Sequence, residues 1–133
     1  MQSQRAPVVL LVNASDDVFE VLTARLARAG FKSLTARAAD IRRGTTDLVA
    51  LVAEHQPCAV IWDVALPYYR NWQYLELLRS SEVFGTRPVV VTSPNKASLD
   101  RIVGSDTGAI ELVGEPDDLG RVLAAISVTA ATV

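Results

Sequence analysis

The sequence predicts an α/β fold: a doubly wound, five-stranded parallel sheet with helices on both faces. Two observations predict it. Short runs rich in Val, Ile and Leu recur four times along 133 residues, with a more polar fifth run at Lys32–Thr35, and segments with helical spacing lie between and after them. Strands and helices that alternate through short loops favour parallel pairing, because the crossover helix returns the chain to the same end of the sheet.

The elements follow in order. Val8–Val12 is continuously apolar, as a strand buried on both faces should be. Ser15 or Asp16 is placed to cap the next helix, where Val18, Val21, Leu22, Leu26 and Ala29 form an inward stripe and Gly30 is the stop. Lys32–Thr35 reads as a short strand near an edge. The stretch from Ala36 to Thr46 is polar and aperiodic, and we expect a surface loop there. Thr45 or Thr46 is a candidate cap for a helix over Asp47–His55, with Leu48, Leu51 and Val52 inward and Pro57 beyond its end. Ala59–Trp62 is the third strand and Asp63 stands at its carboxyl end. A turn through Pro67 leads to a helix near Asn71–Ser80, with Trp72, Leu75 and Leu78 on one face. Val89–Thr92 is the fourth strand, Lys96–Val103 a helix, Ile110–Val113 the fifth strand and Asp118–Val128 the last helix. One domain over 1–133 is expected, with a core of about 7–128 and a short flexible tail.

Composition narrows the function. Half the residues are hydrophobic, 21% are charged and the formal net charge is −2, which disfavours nucleic acid as the partner of this domain. No apolar run is long enough to cross a bilayer, and "MQSQRAP" lacks the apolar centre of a signal peptide. A single cysteine, Cys58, excludes an internal disulfide and agrees with a cytoplasmic location. Six basic residues against one acid lie between Arg25 and Arg43, either a solvated face or a docking patch for an acidic partner.

Enzymatic motifs are missing. "NASDDVF" after the first strand has no glycine, so neither a dinucleotide fingerprint nor a P-loop begins there. No serine sits in a G-x-S-x-G elbow. The one histidine, His55, suits a helix carboxyl end, where a positive charge opposes the dipole. We expect no enzyme, and we assign no catalytic residue and no metal ligand.

Asp63 is the best-placed carboxylate. "AVIWDVALP", "PVVVTSP" and "GAIELVGEP" occur in that order, and with them the chain resembles the receiver domain of two-component response regulators over about residues 7–128. The resemblance implies a flavodoxin-like, CheY-like sheet of order 2-1-3-4-5 with the site at the strand ends. It implies that Asp63 holds the phosphoacceptor position and Ser93 the hydroxyl that bonds a phosphoryl oxygen. By analogy it also implies a cis Glu115–Pro116 bond.

The same register exposes departures. The two acids that help such receivers hold Mg²⁺ fall on Asn13 and Ala14, and the phosphoryl-pairing lysine falls on Glu115. The switch aromatic falls on Leu112. Mg²⁺ prefers octahedral oxygens with one or two carboxylates, so its binding is expected to be lost or weak. Asp16 and Asp17 read as helix-start acids. A negative charge in place of the lysine opposes a phosphoryl group; like charges at ~4 Å cost about 4 kcal/mol at an effective dielectric of 20.

The expected function is therefore a phosphorylation-independent pseudo-receiver, a signalling module that binds protein partners and is capable of pairing as a homodimer. The alternatives are a working phosphoacceptor served by a histidine kinase and a small-molecule sensor in the vacated pocket. Tyr68, Tyr69 and Trp72 are the partner-docking candidates, since Tyr and Trp anchor interfaces.

Overall fold

Val8–Val12 (β1) and Ala59–Asp63 (β3) lie side by side in the middle of a parallel sheet, Val9 opposite Ala59 and Val12 opposite Trp62. Four of the five residues in each are buried, the outcome expected of strands apolar on both faces. Lys32–Ala36 (β2) pairs outside β1, Val89–Ser93 (β4) outside β3, and Ile110–Glu111 (β5) closes the far edge. The order is β2-β1-β3-β4-β5. In this computed structural model the described residues are 6–13, 15–112 and 120–126.

The sheet separates two cores, because alternate side chains leave a strand on opposite faces. On one face Leu10, Val12, Val60, Trp62 and Val91 pack beneath Leu48–His55 (α3), Tyr68–Ser80 (α4) and Lys96–Val103 (α5), through Val52, Leu75 and Leu99. On the other, Val9, Leu11, Ile61 and Val90 meet Asp16–Arg28 (α1) through Leu22 and Leu26, together with Val122 and Ile126 of the helical stretch 120–126. Among the described residues, no helix is long and apolar enough to cross a membrane.

Several boundaries differ from expectation for local reasons. Ser15 does cap α1, accepting from the Val18 N–H. Val21, however, is 49% exposed, so the buried stripe of α1 is narrower than its apolar residues. Asp47 caps α3 by accepting from the Ala50 N–H; neither Thr45 nor Thr46 does so, and Thr45 Oγ1 instead donates to the Asp40 carbonyl. The α4 helix starts three residues early, at Tyr68, directly after a cis Leu66–Pro67 bond. Glu115–Pro116, Val113 and the start of the last helix lie outside the described residues.

The main correction concerns the polar insert. Ala38–Arg43 is a helix (α2), not a surface loop. Ala38 is buried, Ile41 packs on the core beside it, and Gly44 ends the helix at φ +82°, a conformation that costs glycine little. Two apolar anchors in six residues were diluted by Arg37, Arg42 and Arg43, which hid the period.

Candidate functional site

Strand β1 ends at Asn13 in the left-handed conformation, φ +67°, which asparagine tolerates better than most residues. Its backbone N–H donates to the Ala36 carbonyl at 3.0 Å. Its side-chain Oδ1 accepts the Ala38 N–H at 2.7 Å. Asn13 thus fastens the end of β1 to the end of β2 and to the first residue of α2.

Asp63 ends β3 one strand away. Thr92 Oγ1 donates to its Oδ1 at 2.7 Å. Burial raises the Asp63 carboxyl above its ordinary value by penalising the charged form, and the Thr92 hydrogen bond pulls in the opposite direction.

Here the structure corrects the choice of hydroxyl. Asp63 is paired in register with Thr92. Thr92 follows the parity of Val90 and so shares a face with Asp63, whereas Ser93 follows Val91 to the other face. Ser93 is buried there, and its Oγ accepts the Asn95 N–H at 3.3 Å. The register decides it: with Asp63 and Thr92 paired, Thr92 and not Ser93 shares the Asp63 face, and strands buried on both faces leave no alternation in the sequence to show this.

The other expected residues scatter. Leu112 is buried, packed with Leu11, Val90 and Ile126. Ala14 and Glu115 lie outside the described residues. Among the described residues no three His, Cys, Asp or Glu side chains converge as a metal site. Asn13 is neutral and its oxygen accepts from Ala38, which leaves Asp63 as the carboxylate at the described ends of β1 and β3.

The aromatic candidates divide. Tyr68 is only 8% exposed and belongs to the core, because α4 begins at that residue and turns the ring inward; it is not a surface anchor. Tyr69 is 54% exposed. Trp72 is half-buried under the Arg79 guanidinium, which lies 5.4 Å from its ring centroid. Tyr69, Trp72 and Leu77 line a shallow groove that reaches Val103 on α5.

The basic run also divides. Arg25 and Arg28 sit in the last turn of α1 and Lys32 starts β2, at the amino end of the sheet, while Arg37, Arg42 and Arg43 lie around α2 at the carboxyl end. Arg43 pairs with Asp40. One continuous docking patch is therefore not formed. Burial raises the Cys58 thiol, and the His55 ring lies 3.8 Å from the Glu54 carboxylate.

No family model matches the chain. Curated proteins do. Transcriptional regulatory protein GltR of Pseudomonas aeruginosa is 28% identical over 119 residues, covering 89% of this chain and 46% of that protein. Response regulator Rre1 of Synechocystis is 31% identical over 111 residues, covering 83% of this chain and 46% of that protein. Among solved structures, the chemotaxis response regulator CheY4 of Vibrio cholerae superposes with a TM-score of 0.59 at 23% identity, covering 90% of this chain and 98% of that one. The chain has the fold of a response-regulator receiver domain, and the curated proteins it resembles are response regulators. A solution structure of a response regulator from Burkholderia multivorans agrees in fold, at a TM-score of 0.52 and 24% identity over 92% of this chain and 95% of that one. The chain spans about half the length of the curated relatives it matches.

Proposed function

We propose that this receiver is degenerate: a phosphorylation-independent signalling module that acts by binding a protein partner. One observation carries the reading. The residue at the end of β1, where receivers place a metal-binding acid, is a neutral asparagine whose side-chain oxygen is committed to the Ala38 N–H. Sequence register adds to it. Ala14 brings no ligand, Glu115 replaces the lysine that would pair with phosphoryl charge, and Leu112 lacks the hydroxyl of a switch aromatic. Phosphoryl transfer relies on metal and cationic charge near the moving group; the residues at 13, 14 and 115 reduce that charge, and Leu112 removes the readout. Tyr69 and Trp72 are the partner contacts in this reading, and a second copy of the chain is one candidate partner.

The test is direct. Incubation with Mg²⁺ and a small phosphodonor should leave the intact mass unchanged, and Asp63→Asn should preserve function in cells. Stable phosphorylation of the wild type, with function lost in Asp63→Asn, overturns the proposal. A second reading, a working phosphoacceptor at Asp63, is favoured by the retained Thr92–Asp63 hydrogen bond, and that outcome would establish it.

A further inference from the structure

We propose that the crevice between the ends of β1 and β3 binds a small organic anion, a phosphate or carboxylate carried on an apolar body, through Arg37 and Arg42. The inference goes beyond the degenerate-receiver reading and does not depend on whether Asp63 accepts phosphate, since Asp63 and Thr92 are not in the walls of the crevice.

Position is the first support. In the order β2-β1-β3-β4-β5 the chain reverses its winding direction between β1 and β3. The loops that leave the two strands then run to opposite faces and open a crevice between them, the place where open α/β sheets bind ligands. Here that crevice has a volume of about 490 Å³, within the range of small-molecule sites. The β1 side contributes Asp16 and the β3 side Leu66 and Pro67. The insert helix supplies the third wall, with Arg37, Ala39 and Arg42.

Charge is the second support. Among the described residues, two arginines and one carboxylate, Asp16, line the crevice, in a protein whose net charge is −2. Neither arginine has an ion-pair partner among the described residues; the acid closest in sequence, Asp40, is taken by Arg43. The Arg42 guanidinium lies 5.3 Å from the Tyr74 ring centroid. That contact steadies the group and leaves its N–H edge free, and such a fork matches carboxylate and phosphate oxygens. Leu66 is 75% exposed and lies against Pro67, a surface suited to the apolar body.

The experiment is an NMR titration of the whole chain with AMP, benzoate and uncharged adenosine, read at the amides of Ala38, Ala39 and Leu66. At least one anion should give saturable shifts and adenosine none; which anion does so separates phosphate from carboxylate recognition. Arg37→Gln and Arg42→Gln should each weaken binding roughly tenfold, the scale of a charge-assisted hydrogen bond. Asp16→Asn, which removes the like charge, should tighten it a few-fold. Both arginines and Asp16 are exposed, so the fold should survive, and unchanged shifts at Val9–Val12 would verify that. Silence with both anions, adenosine matching AMP, wild-type affinity in the Gln variants, or no tightening in Asp16→Asn overturns the inference.

Discussion

Thr92 donates its hydroxyl to Asp63 across the β3–β4 pair at 2.7 Å, between two residues that are direct register partners. The bond stabilises the ionised carboxyl against the cost of burial. Thr92→Val should therefore push the Asp63 titration still higher, as read by carboxyl ¹³C NMR, and destabilise the domain by about 1–3 kcal/mol. Ser93→Ala, on the opposite face, should leave that titration where it was. A shift in Ser93→Ala and none in Thr92→Val would restore Ser93 as the partner.

Asp63→Asn should stabilise the protein at neutral pH. Burial raises the folded carboxyl above the 3.8 of the unfolded chain. The unfolded state therefore ionises first, and this carboxyl's contribution to stability is fully present below pH 3.8 and is lost as pH rises through the folded value. The amide removes the ionisation and can still accept from Thr92. The melting temperature of the variant should exceed that of the wild type at pH 7, and the gap should shrink as pH falls toward 4. A gap that widens on acidification contradicts the sign.

The insert helix should register in hydrogen exchange. Ile41 donates to the Arg37 carbonyl, Gly44 to Ile41 and Thr45 to Asp40, so these amides should exchange more slowly than an open loop, though faster than Val9–Val12. Gly44→Ala meets no atom within 4 Å of the added Cβ, which leaves backbone strain at φ +82° as its only cost, about 1 kcal/mol. Random-coil exchange at Ile41 and Gly44 would refute the helix.

Tyr68 and Tyr69 should part company on mutation. Tyr68→Ala removes a core ring and should cost about 3 kcal/mol or more. Tyr69→Ala should stay within about 0.5 kcal/mol, the range of surface changes, and should weaken capture of a signalling partner. Equal thermal losses for the two would show that both rings serve packing.

The sequence made the middle of the sheet easy to read, and β1 and β3 fell where uninterrupted Val, Ile and Leu placed them. Lys96–Val103 matched at both ends, since Asn95 and Gly104 are caps with a side-chain or backbone reason to be there. Elsewhere local signals competed. Thr45 and Thr46 both stood as cap candidates before α3, and the cap is instead Asp47, which the sequence places inside the helix. Asp63 was legible as a strand-end acid, but its partner required strand parity, and composition alone did not separate Thr92 from Ser93. Arg37 and Arg42 read as ordinary solvated charge because nothing in the linear order brings them to Leu66. The Asn13–Ala38 bond spans 25 residues and left no local trace.

On the degenerate-receiver proposal, that bond also bears on how readily the domain could take up metal-dependent chemistry. An aspartate at position 13 would meet the same Ala38 N–H, and a charged acceptor binds it more strongly than an amide does. Simple reversion would therefore give an acid that holds the insert helix more firmly and is slow to turn toward a cation. A route back would have to loosen or shorten 38–43 before the acid could serve a metal, so the order of substitutions matters. On that proposal, by supplying the N–H that holds Asn13, the insert would act as a ratchet against reversal.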